Sequence, residues 1–278
     1  MPHVFRSVFH PTSFSGSHDA FVHALRIALA ARGDLRLVHV HAPHEAPNFD
    51  PFPRVRVTLA RWGLISGEES EQAVAERTGL AVDKKLVWDA SPRAGIIREF
   101  GGARVDLMVL ALADRGGTPD IFQDSVAEDV VRATGGLALC VHRDAGGFVE
   151  PETGAVRLKS VLVPVSDRVP PARAIDTAVS LCELLGESAP DIHLLYVGGS
   201  GRHNAGLPAD APGRAVYRVH EATGAVVEQI LAAQASLAAD LVCMPVMRRH
   251  GFMASVRGSI AERVLRVARC PVLLAPTD

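Results

Sequence analysis

The sequence predicts an α/β fold: two Rossmann-like, doubly wound domains in tandem. Three observations carry that prediction. The chain repeats itself, each copy alternates short apolar runs with amphipathic stretches of helical spacing, and the composition supports a large core. Residues 90–141 lie on residues 224–275 at an offset of 134 without a gap. Ile96 falls on Ile230, Asp106-Leu107 on Asp240-Leu241, Arg115 on Arg249 and Gly117 on Gly251. Ser125, Ala127, Glu128, Val130 and Arg132 meet Ser259, Ala261, Glu262, Val264 and Arg266. The front halves also match, residues 9–13 with 162–166 (offset 153) and residues 37–40 with 194–197 (offset 157). The drop from 157 to 134 leaves 23 extra residues in the first copy, between its second and third strands. The expected units are 1–146 and 157–278, with the Gly- and Pro-containing stretch 147–156 as a linker.

Each element follows from its pattern. In the first unit, helices are expected at Ala20–Ala31, Arg93–Phe100 and Val126–Ala133, with strand-like runs at Leu37–Val40 and Leu137–Val141. The extra residues begin with Pro43, Pro47, Pro51 and Pro53 and continue into two helices, Val55–Ile65 and Glu68–Arg77. The second unit reads as buried strands Val161–Val165, Ile192–Val197, Leu241–Val246 and Val272–Leu274. Between them lie helices Ala172–Leu185, Val226–Ala238 and Ile260–Ala268. Gly198–Arg214 is too rich in Gly and Pro to hold a helix and is expected to be a mobile loop, leaving one sheet face less well covered. Strands joined by helices of this length imply right-handed crossovers and a parallel sheet covered on both faces.

Composition narrows the function classes. The 278 residues hold 29 Lys+Arg against 31 Asp+Glu, 48% are hydrophobic and 22% charged, as in a globular protein. An isoelectric point near 6.6 speaks against a nucleic-acid binder. No apolar run is long enough for a membrane span, and the first residues lack the order of a secretory signal. The expected location is therefore the cytoplasm. Cys140, Cys182, Cys243 and Cys270 form no C-x-x-C pair, and structural thiols are the expectation. Trp62 and Trp88 are expected to pack around the inserted helices, and His142 and His193 to lie at the core edge.

The residues now resemble the universal stress protein family in its tandem form. The resemblance is carried by Pro164-Val165-Ser166, by residues 240–244, by the closing stretch from Gly258 to Arg266 and by the final strand Cys270–Leu274. It implies five strands per sheet and pairing through the last strand, so that Leu137–Val141 and Val272–Leu274 build an internal pseudo-dimer. Many members bind ATP through G-x2-G-x9-G-[ST] after the fourth strand and an Asp ending the first. Here those positions read Pro245, Arg248, Gly258 and Ser259 in unit two, and Ala111, Asp114, Asp124 and Ser125 in unit one. The Asp position is Ser166 in unit two and Ser13 in unit one. Unit one keeps no phosphate glycine and adds two carboxylates that repel phosphate, so it is not expected to bind ATP in the family manner.

Unit two keeps a candidate ligand set of Ser166, Arg248, Arg249, Gly258 and Ser259, where basic residues stand beside a helix N-terminus that could hold an anion. The plainer reading is a solvated basic loop. Ser259 and Ser125 also fit the capping box S-x-x-E, which is sufficient reason for either serine without a ligand. His39 and His41 share a strand face, and the strand order the resemblance implies sets His10 alongside them, a weak zinc candidate against the plainer reading of strand-end rim residues. Ser15–Ala20 is a distant likeness to the phosphate loop of pyrophosphate-releasing ATPases, weakened by Ser17 and Ala20. No nucleophile elbow, zinc-protease helix or Walker loop is present. The expected function is non-catalytic: a stress-response or regulatory protein with no cofactor, ATP being disfavoured. Protein partners, no nucleic acid, no membrane, and a pseudo-dimeric monomer or a homodimer complete the expectation. A nucleotide or anion sensor built on unit two is the alternative, and an α/β-class enzyme the weaker one.

Overall fold

A computed structural model describes residues 5–12, 18–41, 47–112, 133–142, 146–166, 168–198, 214–247 and 259–277. In the first unit these residues form β1 (Ser7–Pro11), α1 (Asp19–Ala30), β2 (Asp34–His41), α2 (Val55–Arg61), α3 (Glu71–Thr78), β3 (Ala81–Trp88), α4 (Pro92–Gly101), β4 (Leu107–Leu112) and β5 (Leu137–His142). The second unit contributes β6 (Ser160–Val165), α5 (Ala172–Leu184), β7 (Asp191–Val197), β8 (Val216–Ala222), α6 (Val226–Ser236), β9 (Leu241–Met247), α7 (Ile260–Val267) and β10 (Val272–Thr277). The expected helix Val126–Ala133 and the loop at 199–213 lie almost wholly outside the described residues.

The repeat offsets hold in three dimensions. Strand β1 matches β6, β2 matches β7, and the change of offset falls between β2 and β3, where α2 and α3 are inserted. Both third strands, β3 and β8, escaped the sequence reading. Each lies at an outer edge of the sheet and carries mixed charges (Asp83, Lys84 and Lys85; Arg218, His220 and Glu221), so neither shows an apolar run. Such charges are how exposed edges avoid pairing with other chains.

All ten strands form one sheet in the order β3-β2-β1-β4-β5-β10-β9-β6-β7-β8. Pairing is parallel within each half, and the halves meet through antiparallel β5 and β10, with Leu273 opposite Leu139 and Val272 opposite Cys140. The two units are thus an internal pseudo-dimer. Both faces are apolar layers that run through the seam. One joins α1 and α5 to the inserted residues Phe52, Val55, Leu59 and Trp62; the other lies under α4, α6 and α7.

The repeated Asp-Leu pair has a structural cause. Asp106 accepts from the Ser7 amide at 2.9 Å, and Asp240 accepts from the Lys159 and Ser160 amides at 2.8 and 2.9 Å. Each carboxylate satisfies donors at the start of its unit's first strand, so the central strand pair keeps its register.

Residues 147–156, read as a linker, are built into the core. Phe148 and Val149 are buried, and Val149 bridges Val156. The Val149 amide donates to His23 Nε2 (3.2 Å), the Trp62 indole to the Pro151 carbonyl (3.0 Å), and Arg26 Nε to the Gly154 carbonyl (3.1 Å). Gly154 has φ +68°, and a Cβ there would come within 2.5 Å of the Trp62 ring, so this turn requires glycine. Turn residues were legible as such; the apolar pair Phe148-Val149 inside them was the signal that the turn is docked.

Candidate functional site

In an open α/β sheet the crevice for a ligand opens where the crossovers change direction, outside the carboxyl ends of the strands. Here that happens twice, between β1 and β4 and between β6 and β9.

In unit one, three histidines stand on β1 and β2 beside the first of these points. His10 is buried, and its Nδ1–H donates to the Val109 carbonyl on β4 at 2.8 Å. Burial holds its pKa down at about 4, partly opposed by that hydrogen bond. His39 Nδ1 meets the Thr12 carbonyl at 2.7 Å, and His41 lies 3.8 Å from the Trp88 ring. The three histidines of the weak zinc candidate do share one sheet face, but their rings serve different neighbours. Among the described residues no group of three or more His, Cys, Asp or Glu is arranged to hold a metal ion. Of the family's phosphate positions in unit one, only Ala111 is described; Ser13, Asp114, Asp124 and Ser125 lie outside the described residues.

Unit two presents a different crevice. The position of His10 is taken by Val163 and that of His39 by Tyr196, both buried. The pairs Val161–Leu241 and Leu162–Val242 set β6 and β9 in register. Continued along both strands, that register brings Ser166 level with Val246. Ser166 is exposed and bridges Val169. Pro245 lies within β9 opposite Ala275 of β10. At this position the family has glycine, and proline brings no N–H to offer a phosphate. Ser259 caps α7, its Oγ accepting from the Glu262 amide at 3.0 Å. Glu262 in turn pairs with Arg266 one turn on, at 2.5 Å. Of the candidate ligand set, Ser166 and Ser259 are described; Arg248, Arg249 and Gly258 lie outside the described residues.

Other side chains sort themselves by packing. All four cysteines are buried free thiols. Burial pushes the Cys182 thiol up to about 12 and the Cys243 thiol higher still, and Cys243 donates to the Ala174 carbonyl at 3.3 Å. Neither thiol can supply a thiolate nucleophile near neutral pH. His142 and His193 are buried, as expected for core-edge residues. His142 Nε2–H donates to the Leu265 carbonyl at 2.5 Å, which ties the end of β5 to α7 across the two units. His193 Nδ1 stands 3.0 Å from His220 Nε2. Burial first, and then His220, lower the His193 pKa. His220 was not singled out because it sits on an edge strand that the sequence reading missed. Trp62 packs with the inserted helices as expected, but Trp88 does not: it ends β3, 47% exposed, against His41.

The universal stress protein family model matches residues 7–136 and 200–276, well over half of the chain. A universal stress protein from Archaeoglobus fulgidus has 19% identity to the chain and a TM-score of 0.65, covering 98% of both chains. A functionally unknown protein from Pseudomonas aeruginosa PAO1 has 15% identity and a TM-score of 0.63, covering 99% of this chain and 94% of its own. At such identities the likeness is one of fold. No curated protein sequence matches the chain.

Proposed function

The chain belongs to the universal stress protein family, and from that premise we propose that it is a non-catalytic stress-response or regulatory protein that does not bind ATP in the family's manner. The observation that supports this reading most is the state of the two crevices. In unit one, the phosphate positions read Ala111, Asp114 and Asp124, so no glycine is left there. In unit two, Pro245 stands at a phosphate-glycine position, Ser166 replaces the family Asp, and the Ser259 hydroxyl serves the end of α7. A phosphate there would lose a backbone donor.

On this reading the protein acts through its surfaces, with protein partners recognised by a pair of units that needs no assembly step. Four buried free thiols suit a reducing compartment, and the cytoplasm is the proposed location. Among the described residues no helix is long and apolar enough to cross a membrane.

The second reading is an anion or nucleotide sensor, supported by the basic residues Arg248 and Arg249 that precede α7 in the chain. Thermal melting with and without ATP and magnesium separates the two. The non-binding reading expects an unchanged midpoint. A rise that Arg248→Glu abolishes, with the fold intact, establishes the sensor instead.

A further inference from the structure

A cavity of about 440 Å³ opens between α1, the inserted helices and the turn that joins the two units. Its size falls within the range of small-molecule sites. Leu29, Trp62 and Leu64 supply apolar wall, and Arg26 and Arg77 line it with charge.

The two arginines differ in how they are satisfied. Arg77 donates to the Leu64 carbonyl at 2.6 Å and pairs with Glu69 at 2.9 Å. The nearby Glu152 is paired with Arg61, also at 2.9 Å. Arg26 projects from a helix whose neighbours Leu25 and Ile27 are fully buried, and it is itself half-buried. Its Nε donates to the Gly154 carbonyl, and among the described residues no carboxylate pairs with it. Burial lowers its pKa from the ordinary value, with no acidic group acting in the other direction. A half-buried guanidinium with one carbonyl partner keeps most of its planar donor fork for something else.

We propose that this cavity binds a small carboxylate with an apolar body, its carboxylate on Arg26 and its body against Leu29, Trp62 and Leu64. The guanidinium fork matches a carboxylate in two parallel hydrogen bonds. One uncommitted cation suits a monoanion. A phosphate dianion would need a second, and Arg77 is already neutralised by Glu69. A bound carboxylate would touch α1, the insertion found only in unit one, and the inter-unit turn together, stiffening the junction of the two halves.

The chain has two tryptophans, so Trp88→Phe leaves Trp62 in the cavity wall as the single reporter. Phenylbutyrate, its neutral amide and inorganic phosphate are titrated into that protein, followed by Trp62 emission and by calorimetry. Saturable binding of phenylbutyrate is expected, at least tenfold tighter than of the amide or of phosphate. Arg26→Gln should weaken it at least tenfold. Leu64→Asp, at a position 42% exposed and therefore tolerant of a charge, should do the same by placing a carboxylate at the mouth. The proposal is overturned if phenylbutyrate gives no saturable signal by either readout. It is equally overturned if the amide or phosphate binds as well, or if correctly folded Arg26→Gln and Leu64→Asp proteins bind within twofold of the parent.

Discussion

His23 shows how one side chain can hold two parts of the molecule together. Its Nδ1–H donates to the Asp19 carbonyl at 2.6 Å, and its Nε2 accepts from the Val149 amide at 3.2 Å. That pair of partners requires the neutral ring with its proton on Nδ1. The ring packs edge-on against Phe148 at 4.5 Å, and burial lowers its pKa to about 4. His10 is held at about 4 for the same first cause. Unfolded imidazoles titrate near 6.5, so between these values the unfolded chain binds more protons. The histidine contribution to stability is therefore complete above pH ~6.5 and is lost as pH falls through about 4, up to about 3 kcal/mol for each ring. Urea unfolding across that window should show His23→Gln with a shallower pH dependence than the parent. An unchanged slope would mean that His23 is not held neutral. The histidine-rich first unit was legible in the sequence, but its use was not. Periodicity placed His39 and His41 on one face and the family's strand order set His10 alongside, whereas the carbonyls of Val109 and Thr12 that engage His10 and His39 come from strand pairings no local pattern displays.

At the scale of elements, the reading succeeded wherever an element buries one face and misled where it does not. Helices α1 and α5 and strands β5, β6 and β9 lie within a residue of expectation, and β10 runs three residues further, because burial imposes a period that the sequence must carry. The second inserted helix was expected at Glu68–Arg77 and is found at Glu71–Thr78, starting after the Ser70 cap that bonds the Ala73 amide. The edge strands β3 and β8 were invisible because most of their side chains are exposed and charged or polar, so neither carries an apolar run. Ser259 is a helix cap as expected, bonding the Glu262 amide at the start of α7, while its counterpart Ser125 lies outside the described residues. Replacing Ser259 by Ala should cost about 1 kcal/mol in urea unfolding. A cost indistinguishable from zero would require another reason for that serine. The stretch 147–156 joins the two units and is also packed against the first, which Gly and Pro spacing does not report, since it marks a turn but not whether the turn is docked.

At the scale of the whole molecule, the two units pair within one chain through their last strands. The sheet runs unbroken through β5 and β10, both apolar layers cross the seam, and His142 and the His23 clasp reinforce it from either side. The repeat and the family's pairing through its last strand were enough to anticipate this arrangement, because both depend on buried apolar strands. If Pro245, Arg248 and Ser166 are what removed the nucleotide, restoring the family's residues should return it. The direct measurement is a calorimetric titration with ATP and magnesium of two nucleotide-free proteins, the parent and a variant carrying Ser166→Asp, Pro245→Gly and Arg248→Gly. The expected result is no heat of binding for the parent at two temperatures and saturable binding for the variant. Tight saturable binding by the parent, near one site per chain, would contradict the non-binding reading and make unit two a nucleotide sensor.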